Sequence, residues 1–377
     1  MNLTVSFVSI CISFAAILFG TKIFKPSSSA STITKMTKAS SIPNPNPFPT
    51  FFLSHGGPTF MYRDQDFVNK GAYDAVKKLG KRIKNELKPD YIIVVSAHWQ
   101  SSASNLIEIA VPPKPHALGN TNSFSSGEAQ SRLLDPEIEN PLVYDFYGFP
   151  KNMYREEFHT KGSKSIASQI QEKLQEEGTF KSRITPRGID HGVWVPFNIA
   201  FSNFTTLTNP QPSVESIGWD LPDTKVIQVS LTSKDRDFET HFKLGQQLDF
   251  FRKNSIWDED QGRYLNGMIV CSGMSVHNLR DLGYVFEGKI APYTKPFGEL
   301  LSKLVLTKDS DYLSAYKELQ TNPTYSKLLY SSHPTTEHFV PIVVASGIAS
   351  NANDTPKELY NAYDGSLAWG MYEFTPK

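Results

Sequence analysis

The chain has 377 residues, 39% hydrophobic and 20% charged, the balance of an ordinary globular protein. Its 38 lysines and arginines equal its 38 aspartates and glutamates, and without a basic run nucleic acid is excluded as an expected partner. Two cysteines occur, Cys11 in an apolar N-terminal stretch and Cys271 in the folded part, which excludes a disulfide framework and fits a reducing compartment.

In chain order, the first element is the uncharged apolar run LTVSFVSICISFAAILFG, from Leu3 to Gly20. Its length is close to the ~18–20 residues that cross a bilayer. No basic residue precedes it, so the charged n-region of a secretory signal is missing. Lys22, Lys25, Lys35 and Lys38 follow it. By the positive-inside bias, residues 1–20 are expected to anchor the chain to a membrane, with the folded part facing the cytoplasm. A cleaved presequence is the second reading. Translation from Met36, leaving a soluble cytoplasmic chain, is the third. Residues 21–48, largely Ser, Thr, Pro and Asn, read as a disordered linker, and 49–377 as one folded domain.

From Pro49 onward, apolar runs bounded by turn residues recur. Residues 51–54, 91–97, 106–111, 225–231, 268–272 and 339–345 are predicted strands, and their Ile/Val-rich continuity predicts burial on both faces. Between them, three- and four-residue spacing predicts helices over 69–87, 163–177, 237–252 and 296–319. The alternation defines an α/β fold: a single domain with a central, mainly parallel sheet flanked by helices. Residues 115–141 and 202–223, rich in Asn, Ser, Thr and Pro with little period, read as surface excursions.

Nine histidines are present. His55 lies in FFLSHGGP, His98 in YIIVVSAHW, His277 follows MIVCSGMSV, and His191 lies in GIDHGVWVP, in a GIDHG turn. Ligands of open α/β sheets bind beyond the carboxyl ends of the strands, so histidines at those ends can converge on one cleft. Neutral imidazole suits Zn, Fe and Cu, and three protein ligands leave positions for substrate or water. Gly56 and Gly57 would permit close approach of backbone or substrate, and Asp190 is a candidate orienting partner for His191. A strand-end histidine is, however, more often a hydrogen-bonded structural residue, and no HxxxH or HExxH signature decides the matter. His116, His159 and His241 read as surface residues. His333 and His338, in HPTTEHFVPI, bracket a turn entering a predicted strand, His338 either facing the site or capping the turn. GxGxxG, P-loop and GxSxG motifs are absent from the sequence, so nucleotide binding and α/β-hydrolase chemistry lack support.

The motifs FLSHGGP, VVSAHW, GIDHGVWVP, CSGMSVHN and HPTTEHFVP, in this order, resemble the DOPA-dioxygenase branch of the class III extradiol ring-cleaving dioxygenases. The closing YDGSLAWGMYEF resembles the family's terminal strand, so the resemblance runs from about Pro49 to Phe374 and leaves the N-terminal segment uncovered. It implies a single α/β domain with one mononuclear site, Fe(II) or Zn(II), held by His55, His98 and His277. It implies His191 as acid/base, close enough to the metal to serve as a fourth ligand, with His338 near the substrate. The implied reaction opens a small aromatic diol of catechol type and incorporates both atoms of O2. Better-known class III enzymes hold Fe(II) with two histidines and a glutamate; His277 takes the third position here, and three neutral ligands suit Zn(II) equally. A zinc hydrolase using the same histidines and a non-catalytic metal-binding protein are the alternatives. The HPTTEHFVP loop and the 115–141 insertion differ from the pigment-making members, so the resemblance implies no particular substrate.

Overall fold

Alternate side chains of the longest strand enter two different cores. Along Tyr91–Gln100, Tyr91, Ile93 and Val95 join one cluster, whereas Ile92 and Val94 join the other. This is the two-sided burial expected of a strand inside a covered sheet, and each fully buried Ile or Val contributes ~1.5–3 kcal/mol by leaving water. The computed structural model describes residues 39–114, 133–202, 218–307, 311–351 and 354–377.

The strand belongs to an eight-stranded sheet. Across it the order is Thr355–Tyr360, Met371–Thr375, Thr50–Ser54, Gly267–Gly273, Tyr91–Gln100, Lys225–Leu231, Leu106–Val111 and Lys181–Pro186. The four central strands, from Thr50–Ser54 to Lys225–Leu231, are mutually parallel. The pair Leu106–Val111 and Lys181–Pro186 is parallel within itself and joins Lys225–Leu231 antiparallel. The fold is therefore a single α/β domain with a mainly parallel central sheet and helices packed on it, as the sequence predicts.

Helix Lys164–Glu176 lays Ile166, Ile170 and Leu174 on one face of the sheet, and helix Lys70–Arg82 lays Ala72, Val76 and Leu79 on the other. Their starts follow cap chemistry: the Asn69 side chain accepts from Ala72 N at 2.8 Å and Ser163 Oγ from Ile166 N at 3.3 Å. Other boundaries move. The predicted 237–252 helix breaks at Asp249 into Phe238–Leu248 and Phe250–Lys253, and 296–319 divides into Thr294–Leu306 and Tyr312–Thr321.

Four readings need correction. Residues 339–345 are not a strand; Val340–Ser350 is a helix, buried along nearly its whole length. A helix buried all round shows no period, and Pro341 fits a helix's first turn. The folded unit begins at Ala39 rather than Pro49, because Ser41–Pro43 pairs antiparallel with Asn254–Ile256 and the Asn44 side chain donates to Arg252 O. The two excursions are not wholly superficial, since they send Glu139, Asn140 and Asp220 into the interior. Finally, the GIDHG turn runs straight into helix His191–Phe201, to which the sequence reading assigns no element, and this helix too is buried along most of its length. The apolar run of residues 3–20 and His116 lie outside the described residues; among those described, no helix is long and apolar enough to cross a membrane.

One buried ion cluster ties distant parts of the folded unit together. Arg252, fully buried, donates to Asp249 Oδ1 at 2.6 and 2.9 Å, to Asp354 Oδ2 at 2.5 Å and to Phe48 O at 3.4 Å. Arg252→Ala would leave two buried carboxylates without their main partner, and breaking such a group costs ~3–5 kcal/mol. Urea unfolding of this variant should show a loss of that order. A loss well under 1 kcal/mol would mean the cluster is energetically idle.

Candidate metal centre

Five histidines from distant parts of the chain meet at one end of the central strands. His55 follows Thr50–Ser54 directly, its N–H bonded to Gly273 O at 2.9 Å. His98 lies near the end of Tyr91–Gln100, where the register with Lys225–Leu231 shifts. His191 is the first residue of its helix, His277 sits in the short strand Val276–His277, and His338 shortly precedes helix Val340–Ser350. The ring centroids of His98 and His191 are 3.8 Å apart, and the His277 ring stacks on His338 at 3.6 Å.

Two glycines make this approach feasible. Gly56 has φ +62°, and a Cβ there would meet the Trp369 ring at 2.7 Å. At Gly192 a Cβ would lie 2.4 Å from Ser96 Oγ and 2.9 Å from His98 Cδ2, so the start of the His191 helix could not close on His98 with any larger residue. Gly57 is not crowded.

The outward ring nitrogens are anchored on oxygens. Ser272 Oγ spends its proton on Gly192 O, so it accepts from His55 Nδ1–H at 3.0 Å. His338 Nδ1–H donates to Glu337 Oε1 at 2.9 Å, and His191 Nδ1–H donates to Asp145 Oδ1 at 2.8 Å. These bonds leave the Nε2 lone pairs of His55 and His338 turned inward, each 3.1 Å from His98 Nε2. Inward lone pairs repel unless a proton or a cation lies among them. Two nitrogens bound side by side to one zinc or iron at ~2.0–2.1 Å would lie roughly 3 Å apart. Neutral nitrogen donors anchored through their other ring nitrogen are the ordinary pattern of a metal-binding histidine, and the residues present fit such an ion.

Electrostatics agree. Burial, then the neighbouring imidazoles, holds His55 and His338 well below the ordinary 6.5; burial and His191 do the same for His98, against a smaller upward pull from Asp145. Burial chiefly pushes His277 down to about 4. The donors are therefore neutral at physiological pH, as ligands must be. Burial alone would raise the Asp145 carboxyl, but its contacts with His191 and His98 bring it below its usual value.

The structure brings His55, His98 and His191 together with ligand atoms within 4.8 Å of one another, and His277, Glu337 and His338 likewise; His98 bridges the two groups through His338. Asp190, a candidate partner for His191 in sequence, turns away to Ser96 Oγ at 2.7 Å, Arg187 and Gln228. Its place is taken by Asp145, which sequence reading passed over, as it did Ser272 and Glu337. Asp145 lies in the aromatic stretch LVYDFYGFP, whose composition breaks from the Ser/Asn-rich segment before it, and that break is the available signal. Phe146 packs edge-on to His191, centroids 5.8 Å apart, giving the site an aromatic wall.

The remaining described histidines are structural, and two correct a surface reading. His241 is fully buried, Nδ1–H donating to Asp237 O and Nε2 accepting from Thr232 N–H. His333, also fully buried, holds Ser275 O through Nε2 at 3.1 Å. His159 is buried against Glu139. Burial alone would lower its pKa, but the 2.6 Å bond to Glu139 and the nearby carboxylates hold it above 6.5. A histidine raised on folding adds stability that is complete below its unfolded value and is lost as pH rises through the folded one. The stability difference between wild type and His159→Gln should accordingly shrink as pH climbs past 6.5. A difference independent of pH would show that the pair carries no charge.

Residues 49–374 match the family described as the catalytic LigB subunit of aromatic ring-opening dioxygenase. The chain belongs to this family and is an extradiol ring-cleaving dioxygenase. A Schizosaccharomyces pombe protein named "4,5-DOPA dioxygenase extradiol-like protein" is 32% identical over 314 residues, 80% of this chain and 85% of that protein. The Beta vulgaris "4,5-DOPA dioxygenase extradiol" is 28% identical over 86% of this chain and 96% of its own length. Among solved structures, an uncharacterized protein from Escherichia coli K12 shares the fold, with TM-score 0.55 and 20% identity over 86% of this chain and 99% of that one.

Proposed function

We propose that the chain opens the ring of a catechol-type substrate with O2, using Fe(II) held by His55, His98 and His277, with His191 as acid/base and His338 beside the substrate. The observation that carries the reading is the set of inward-facing, oxygen-anchored imidazoles at the ends of the central strands. When bound, the metal would supply Lewis-acid activation of the diol and the redox chemistry with O2. The protein supplies the rest. Buried walls, including Phe146 against His191, exclude water and give a planar ring a face to lie against. His191, its Nδ1–H held by Asp145, takes a hydroxyl proton from the substrate at Nε2 and later returns a proton there.

The spacing of the donors favours a second ligand set, His55, His98 and His191. The two sets differ in what His191 does and in whether His277 is needed for metal. Anaerobic loading with Fe(II), followed by oxygen-electrode assay against a panel of catechols, tests the reading. O2 uptake with a yellow semialdehyde product is expected. Substrate hydrolysis by the zinc-loaded enzyme with no O2 uptake would overturn it.

A further inference from the structure

We infer that Asp145 is the positioning residue of this site, holding His191 in one tautomer and coupling it to His98. The inference rests on the reading of His191 as acid/base. Its basis is the use of one carboxylate at three points. Asp145 Oδ1 accepts both the backbone N–H of His191 at 3.0 Å and its Nδ1–H at 2.8 Å. The other oxygen, Oδ2, lies 3.5 Å from His98 Nδ1, a charge contact longer than a hydrogen bond.

The need for such a residue comes from the helix it serves. A helix N-terminus leaves N–H groups without partners, and the N-cap side chain ordinarily takes one. Here the N-cap is Asp190, whose carboxylate is spent on Ser96, Arg187 and Gln228. Asp145 enters from a loop 46 residues upstream, takes the His191 N–H, and places its negative charge where the helix dipole favours it. The same oxygen reaches the ring only because His191 is the first helical residue, so one contact fixes both the backbone and the imidazole. Phe146, the next residue, closes on the ring edge-on, leaving the imidazole held from two sides.

The consequence is chemical. With Nδ1 committed as donor to Asp145, His191 has its lone pair on Nε2. When a substrate hydroxyl gives up its proton, the O–H bond breaks, an Nε2–H bond forms, and the imidazole becomes an imidazolium beside a carboxylate. The reverse transfer restores both. Asp145 takes no proton; it stabilises the charged ring and denies it the other tautomer. An asparagine can cap the helix as well as an aspartate does, but it carries no charge and can present an N–H to Nδ1, which favours the wrong tautomer.

The test compares wild type with Asp145→Asn and Asp145→Glu. In metal-free, 15N-histidine-labelled protein, the His191 ring signals, assigned by their disappearance in His191→Gln, should report the Nδ1–H tautomer in wild type and its loss in Asp145→Asn. In Fe(II)-loaded enzyme assayed with catechol, Asp145→Asn should lower kcat by ~10²–10⁴-fold with KM changed only a few-fold. Asp145→Glu, keeping the charge, should recover part of that loss, and thermal unfolding should show Asp145→Asn still folded. An Asp145→Asn enzyme with wild-type kcat would reduce Asp145 to a helix cap and overturn the inference, as would a wild-type His191 in the Nε2–H tautomer. Should wild type open no catechol while the tautomer still shifts in Asp145→Asn, the positioning role stands and the dioxygenase reading on catechols fails.

Discussion

His55→Ala and His98→Ala enzymes are expected to emerge from Fe(II) loading without metal and without ring-opening activity, while still unfolding cooperatively. Both histidines belong to either candidate ligand set, and His98 Nε2, 3.1 Å from two other inward nitrogens, lies at the centre of the donor group. An outer-sphere change costs ~10–100-fold in metal affinity, and loss of a ligand costs more. Each substitution removes a polar ring held by hydrogen bonds rather than apolar core packing, which is why the fold should survive. Elemental analysis of the loaded proteins is the measurement. Full stoichiometry in both variants would abolish the site as described. His277→Ala then separates the sets: metal is lost if His277 is a ligand and kept if His191 takes that position.

The second large effect concerns His191. If it moves protons, His191→Ala should keep its metal and bind catechol while single-turnover rates fall by ~10²–10⁴-fold. His191→Gln should do nearly as badly, because glutamine forms hydrogen bonds but does not exchange a proton near neutral pH. If His191 is an essential ligand, metal and activity fall together in both variants. If its ring merely pins the start of its helix through Asp145, glutamine should rescue most of the rate. A fast His191→Gln enzyme would remove His191 from the mechanism.

How far this was readable without coordinates depends on how each residue's role is encoded. The strands at Thr50–Ser54, Tyr91–Gln100 and Gly267–Gly273 were legible because sheet burial on both faces produces continuous apolar runs. That rule misleads at Val340–Ser350, where a helix enclosed on all sides produces the same kind of run, and it leaves the similar helix His191–Phe201 without an assigned element. The histidines stood out through their motifs. Their anchors did not: Ser272 lies 217 residues from His55 and Asp145 lies 46 from His191, and tertiary contacts at such separations leave no periodic trace. His159 and His241 have polar sequence neighbours and read as solvent-facing, yet each is satisfied inside, His159 by Glu139 twenty residues upstream and His241 by the Asp237 carbonyl one turn before it.

The position of Thr50–Ser54 has a consequence for the order of assembly. It lies between Gly267–Gly273 on one side and Met371–Thr375 on the other. A ribosome adds residues at ~5–20 per second, so the earliest strand of the sheet waits through most of synthesis for its parallel neighbour. Its antiparallel neighbour, Met371–Thr375, emerges later still. Throughout that interval an apolar five-residue strand, TFFLS, has both hydrogen-bonding edges open. The residue at its tip is His55, so the histidine cluster forms only once His277 and His338, far downstream, have been made. The exposed edge of the nascent chain is the kind of surface a chaperone shields.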